Sequence, residues 1–242
     1  MRTLLISFLL LGSLALRAQD QLYKVKLIRA APGQLLQVIE LLKADMASYE
    51  QYGIEQPYLI RHSQGDQWDL MFIYPINELS AYYSEVFQKG LQPSNSLGKT
   101  YGNAFYEKIS YQEESIVRGP GKRIFHEWFQ QYGYYHIEIF TSLAGKQAEL
   151  LKEREMENVY LEEIERRPNF IFTKVTGASW DIFTIGCYSG LKDYAASADI
   201  PIEEEDRAAK VAGFESVYTI GSYLRSLILE HHDTLAGAVR VD

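Results

Sequence analysis

The chain has 242 residues, 47% of them hydrophobic, with 18 Tyr and 11 Phe, so it is long and apolar enough to bury a substantial core. Its 32 acidic residues outnumber 24 basic ones, and such a surface repels phosphate backbones and anionic lipid, which excludes nucleic acid as a partner. A single cysteine, Cys187, excludes an intrachain disulfide.

The N-terminus reads MRTLLISFLLLGSLALRAQDQ: one basic residue, Arg2, an apolar run from Leu4 to Leu16, then small residues. This is the layout of a secretory signal peptide over residues 1–18, and the run is shorter than the ~20 residues a membrane span needs. Cleavage after Ala18 or after Ala15 are the two candidate sites. The expectation is an exported protein, periplasmic or secreted, with no membrane span in the mature chain. Loss of Arg2 and Arg17 leaves 22 basic against 32 acidic residues.

The next stretch, YKVKLI, alternates faces as a strand and runs through a short turn into a helix with Pro32 near its start, where a missing N–H costs nothing, and the apolar stripe Leu35, Ile39, Leu42, Met46 and Tyr49, ended by Gly53. Two strands follow, joined by a hairpin at Gly65, then a short helix around Leu79 and a final strand at YQEESIV. The segment 119–133, GPGKRIFHEWFQQYG, is punctuated by Gly-Pro-Gly and reads as a linker with a short amphipathic helix packing through Phe125, Trp128 and Phe129, with His126 at the surface or in packing. The same series of elements then recurs. A strand, YHIEIF, leads into a longer helix that is expected to bury Leu150, Leu151, Val159 and Ile164 and to stop at Pro168. Two strands joined at Gly177, a helix around Leu191 and a last strand, LILEHHDTLA, complete it. Segments 85–111 and 199–224 differ between the halves and read as long connections over the barrel mouths, with a helix start at IEEEDRAAK.

Sliding the sequence on itself by 112 positions aligns residues 23–82 with 135–194 without a gap, and nine of the sixty positions are identical. In both halves Gly, two residues, then Trp-Asp opens an apolar segment: GDQWDLMFIY and GASWDIFTIG. The order is β-α-β-β-α-β, the ferredoxin-like split unit, whose sheet carries helices on one face only. A second copy is the natural cover for the other face. The fold class is therefore α+β: two ferredoxin-like repeats, 19–118 and 134–242, forming one pseudo-twofold α/β barrel.

On this element order and duplication the chain resembles the dimeric α/β-barrel superfamily in a fused tandem form. That superfamily includes antibiotic-biosynthesis monooxygenase-like, EthD-like and NIPSNAP-like proteins and the two-repeat chlorite dismutase and coprohaem decarboxylase group. The resemblance implies a small, flat or aromatic ligand, oxygenase, lyase or isomerase-like chemistry, and haem as one cofactor. It carries no catalytic motif onto this chain. A fused barrel needs no second chain, so monomer and homodimer are both open.

Alternation sorts the second half's first strand. Its apolar set, Tyr135, Ile137 and Ile139, is assigned to the repeat's own helices, which aims His136, Glu138 and Phe140 into the barrel. In a ferredoxin-like sheet the final strand lies beside the first. His231 and Asp233 then share one face and His232 the other, so His136 and Glu138 are joined either by His231 with Asp233 or by His232. Mixed histidine and carboxylate ligands suit Zn, Mn, Fe or Cu. Without metal, His136 and Glu138 form a candidate acid and base pair, with His62 a further candidate from across the barrel. A satisfied polar network that only holds the barrel is the non-catalytic alternative, a periplasmic ligand-binding or scaffolding protein with a filled barrel. Lys24 and Lys26 stand where His136 and Glu138 do, opposite Glu113 and Glu114, which reads as charge pairing. Trp68, Trp180, Phe140 and Arg61 are the candidate ligand contacts. Asp69 and Asp181 are expected to pin their hairpins. Glu153 and Glu157 on the helix KEREMEN read as solvated ion pairs.

Overall fold

The computed structural model describes residues 21–49, 56–76, 78–85, 89 and 102–240; the apolar N-terminal run, Gly53 and most of 86–101 lie outside them. Eight antiparallel strands close into one barrel: β1 (Gln21–Ala30), β2 (Tyr58–Gly65), β3 (Leu70–Ile76), β4 (Ile109–Gly119), β5 (Tyr134–Ser142), β6 (Phe170–Gly177), β7 (Ile182–Tyr188) and β8 (Ile228–Val239). The order around it is β4-β1-β3-β2-β8-β5-β7-β6, so each half is a 4-1-3-2 sheet and the halves join at two seams, β2–β8 and β4–β6. This is the α+β, tandem ferredoxin-like barrel that the duplicated element order predicts. β2 and β6, and β3 and β7, are each displaced by the same 112 residues that align the sequence. Against the same partner position the last strands are displaced by 119, since Lys26 pairs Glu114 and Glu138 pairs Asp233.

Among the described residues eight helices surround the strands: α1 (Leu35–Tyr49), α2 (Leu79–Tyr82), α3 (Asn103–Tyr106), α4 (Lys122–Gln131), α5 (Gln147–Glu163), α6 (Leu191–Ala195), α7 (Ile202–Val211) and α8 (Ile220–Arg225). α1 buries the predicted stripe of Ile39, Leu42, Met46 and Tyr49 against Ile28, Phe72 and Tyr74. α5 buries Leu150, and Ile164 just beyond it, but leaves Val159 40% exposed, because α7 and α8 cover its flank elsewhere, through Met156 and Tyr160. The segment 199–224 therefore packs on α5 as helices and does not lie over a barrel mouth. The linker helix α4 closes one end of the barrel: Phe125 meets Tyr23, Tyr58, Phe170 and Phe172 edge-on, and Phe129 stacks on Tyr135 at 5.5 Å. His126 is exposed on the outer side of this helix, its Nδ1 3.3 Å from the Tyr58 hydroxyl.

The faces of β5 are the reverse of the sequence reading. Tyr135, Ile137 and Ile139 point into the barrel, in one core with Val25, Ile60, Ile73, Phe172 and Cys187. His136, Glu138 and Phe140 point outward, beneath α5. Both faces of the strand are covered, so alternation separates two sets of side chains without saying which cover each receives. The sealed interior takes the wholly apolar set. The layer under α5 takes the polar set because the helix brings countercharges to it. Burial raises the Cys187 thiol to about 12, as befits a small apolar filler.

Candidate functional site

β5 and β8 lie side by side in the register Glu138↔Asp233 and Phe140↔His231, which brings His136, Glu138, His231 and Asp233 to one outer face. Of the two expected groupings, the one containing His231 and Asp233 forms, but outside the barrel. His136 Nε2 is 2.9 Å from Asp233 Oδ1, and His231 Nε2 is 3.3 Å from Glu138 Oε1 and 3.6 Å from Asp233 Oδ2. Ligand atoms of His136, Glu138 and Asp233 all lie within 4.8 Å of one another, and His231 touches two of the three. Bonds of about 2.0–2.1 Å to a tetrahedral metal place neighbouring ligand atoms about 3.3–3.4 Å apart. The observed contacts bracket that spacing.

The helix above completes the group. Arg154 forks onto Glu153 through Nε and Nη2 at 2.6 and 2.7 Å, pairs Glu157 through Nη1, and approaches Glu138 Oε2 at 3.6 Å. Glu153 and Arg154 are buried, so the reading of this helix as a solvated charged face fails at these two positions. Thr184 donates to Glu138 Oε2 at 3.2 Å, leaving Oε1 to face His231. Phe140 is no ligand platform: it is fully buried, with the His231 ring stacked on it at 4.7 Å and the Arg154 guanidinium over it at 4.7 Å. Tyr194 packs 5.2 Å from His136 and contacts Tyr134 and Tyr188, forming an aromatic wall on the side where Asp233 is open to solvent.

Charge explains the titration of the group. Burial opposes ionisation of Glu138, but the hydrogen bond from His231 and the charge of Arg154 outweigh it and hold the carboxyl at about 2. Burial, then the neighbouring Glu138 charge, pushes Glu157 up to about 7. Burial lowers and the bond to Asp233 raises His136, with a net rise; the bond to Glu138 is the main reason His231 rises. With both imidazoles neutral, four carboxylates (Glu138, Glu153, Glu157, Asp233) face a single guanidinium.

The first repeat carries the same layout with other groups. Glu114 bridges Lys24 at 2.8 Å and Lys26 at 3.1 Å, the expected charge pairing, while Glu113 turns to the other face and accepts from Ser179 N at 2.9 Å. Tyr82 beside Lys24, and Asp45 on α1, match Tyr194 and Glu157 at the 112-residue displacement. Tyr82/Tyr194 is one of the nine sequence identities, a signal that could have marked this layer, although strand alternation by itself aimed the group into the barrel. Arg154 left no such signal, since its counterpart is Leu42.

The other expected site residues lie elsewhere. His62 faces the barrel, 5.8 Å from the Trp68 ring, and does not reach the His136 group. His232 faces inward, 3.3 Å from Asp66 Oδ1, and cannot share a ligand set with His231 on a regular strand. Arg61 is exposed on the outside of the β2–β8 seam. Trp68 and Trp180 fill the barrel end opposite α4. Asp69 and Asp181 do pin their hairpins, Asp69 accepting from Ala30 N at 2.8 Å and Asp181 from Ser142 N at 2.9 Å.

No family model and no curated protein sequence matches this chain. Solved structures do match in fold. An anthrone oxidase-like protein superposes with a TM-score of 0.58 at 13% identity, covering 93% of each chain. A putative chlorite dismutase gives 0.52 at 10% identity over 91% of this chain and 96% of its own. A putative monooxygenase from Fusobacterium nucleatum gives 0.51 at 9% identity over 91% and 93%. The fold is thus the dimeric α/β barrel. Haem, which the chlorite dismutase resemblance implies, does not fit the second repeat. A porphyrin needs a flat slot and an axial ligand, such as an imidazole, aimed into it. Here Arg154, Glu153, Glu157 and Phe140 fill the layer between sheet and α5, α5 carries no histidine, and His136 and His231 are bonded to carboxylates.

Proposed function

We propose that this chain is an exported small-molecule-binding barrel whose second repeat holds one divalent transition metal at His136, Glu138 and Asp233, with His231 as the fourth group. The carrying observation is the convergence of these ligands in a layer with an excess of carboxylates, which a divalent cation neutralises. Thr184 and Arg154 orient Glu138, and Phe140 orients His231, as supporting groups do around a metal. A bound metal supplies Lewis-acid or oxygen chemistry at the open Asp233 side, where the Tyr194 wall receives a flat organic ligand for an oxygenase, lyase or isomerase-like reaction. The filled barrel axis supports a second reading, a non-catalytic periplasmic binding or scaffolding protein.

The test is elemental analysis of protein purified from its native compartment, then titration of chelator-treated protein with Zn, Mn, Fe and Cu. About one equivalent should bind, and Asp233→Ala or His231→Ala should weaken it by at least the roughly 10-fold to 100-fold that loss of even a supporting group costs. No stoichiometric metal in either measurement would leave the second reading. Export is supported by the Arg2 and Leu4–Leu16 pattern. Intact mass should show a mature chain starting at Gln19 or Leu16.

A further inference from the structure

The duplicated Gly-x-x-Trp-Asp hairpins build a cavity of about 270 Å³ at the barrel end opposite α4. We infer that this mouth binds a small organic ammonium that also carries a hydroxyl or carbonyl oxygen. Its walls come from both repeats: Trp68 and Asp66 from one hairpin, Trp180 from the other, Tyr111 and Glu113 from β4, and Glu230 from β8. The lining holds three carboxylates and no lysine or arginine. Carboxylates set among aromatic rings attract a cation whose charge is spread over carbon. Among the described residues the metal-spaced ligand group is the one at His136, so these acids are not gathered around a point charge.

The need for an oxygen follows from a break in the pseudo-symmetry. Trp180 Nε1 donates to Glu113 Oε2 at 3.2 Å. The residue matching Glu113 in β8 is His232, which turns to Asp66 instead, at 3.3 Å. Trp68, 2% exposed, is left with a buried Nε1–H that meets no acceptor. A buried donor left unmet is unfavourable, and a ligand oxygen that enters the mouth far enough to reach it relieves that cost. The cavity is just below the ~300 Å³ lower end of drug-sized sites, so the ligand is small. Alternation along β8 separates the two sites: His231 and Asp233 serve the outer layer, Glu230 and His232 the mouth.

The probe is choline, a quaternary ammonium with a hydroxyl, compared by calorimetry on the full chain with its neutral analogue in which tert-butyl replaces trimethylammonium. Choline should bind at one saturable site at least about tenfold tighter than the analogue, since only the cation gains from the carboxylates and ring faces. Trp68→Phe, which keeps an aromatic ring and removes the donor, and Glu230→Gln, at an exposed position, should each weaken it several-fold; His231→Ala should leave it unchanged. Absence of saturable binding, equal binding of the analogue, indifference to both mouth variants, or loss in His231→Ala overturns the inference. Metal titration of the same variants reads the outer site separately, so failure at one site does not count against the other.

Discussion

A methyl group on Gly65 would sit 2.0 Å from the carbonyl oxygen of Asp233, and one on Gly177 2.4 Å from that of Glu114. Each hairpin glycine thus lies against the last strand of the opposite repeat, at φ +119° and +82°, which is why the residue is duplicated. Gly65→Ala should destabilise the chain by about 3 kcal/mol or more, combining backbone strain with a backbone clash. Gly33→Ala meets nothing within 4 Å, so only its φ of +77° counts, and it should lose about 1–2 kcal/mol in the same denaturant titration. Lys26 offers a pH test. Burial, opposed by Glu114, lowers its ammonium from 10.5 to about 8. The unfolded chain therefore holds more protons between those values, so folded stability rises with pH across that window and is lowest below it. The unfolding free energy of wild type relative to Lys26→Met, from denaturant titrations, should climb from pH 8 to pH 10.5, by up to about 3 kcal/mol in all. A flat difference would mean the lysine titrates normally.

At the level of elements, α1 and α5 occupy matching places but differ in what they bring to the sheet. Leu41 and Leu42 of α1 align with Glu153 and Arg154 of α5. The first helix announces its buried face by apolar periodicity; the second buries an ion group that reads as surface charge, because a single sequence shows charges but not their depth. Arg154 is the pivot, touching Glu138, Glu153 and Glu157. Arg154→Met removes the one guanidinium among four carboxylates and should destabilise metal-free protein by about 3–5 kcal/mol. Saturating metal should return part of that loss, because it replaces the missing positive charge and stabilises only the folded state. Equal losses with chelator and with metal would argue that no cation binds beside Glu138.

Across the whole molecule, what the sequence made legible is what duplication and order encode: the repeat, the 4-1-3-2 arrangement, the hairpin role of Trp-Asp and the pairing of β5 with β8. What it hid is which cover each face receives. Strand parity therefore leaves two histidine groupings open and assigns both to the wrong side of the sheet; the β5–β8 pairing forms the one with His231 and Asp233 on the outer face. The same closure gives a prediction for the chain cut in two. The barrel core mixes Tyr23, Val25 and Ile73 of the first repeat with Tyr135, Ile137 and Phe172 of the second, and the linker helix seals it with Phe125 and Phe129. A lone repeat would expose that face together with unpaired β2 and β4, or β6 and β8, as open edges, and exposed edges recruit another chain. Residues 19–133 and 134–242 expressed apart should each self-associate, while co-expression should recover a complex of the size of the intact chain, with the proposed metal site intact because every proposed ligand lies in the second segment. The checks are size-exclusion with light scattering and metal content of the recovered complex. A stable, compact monomer of either segment would show that the two sheets do not depend on one another, and the closed barrel would then be a docking of finished domains.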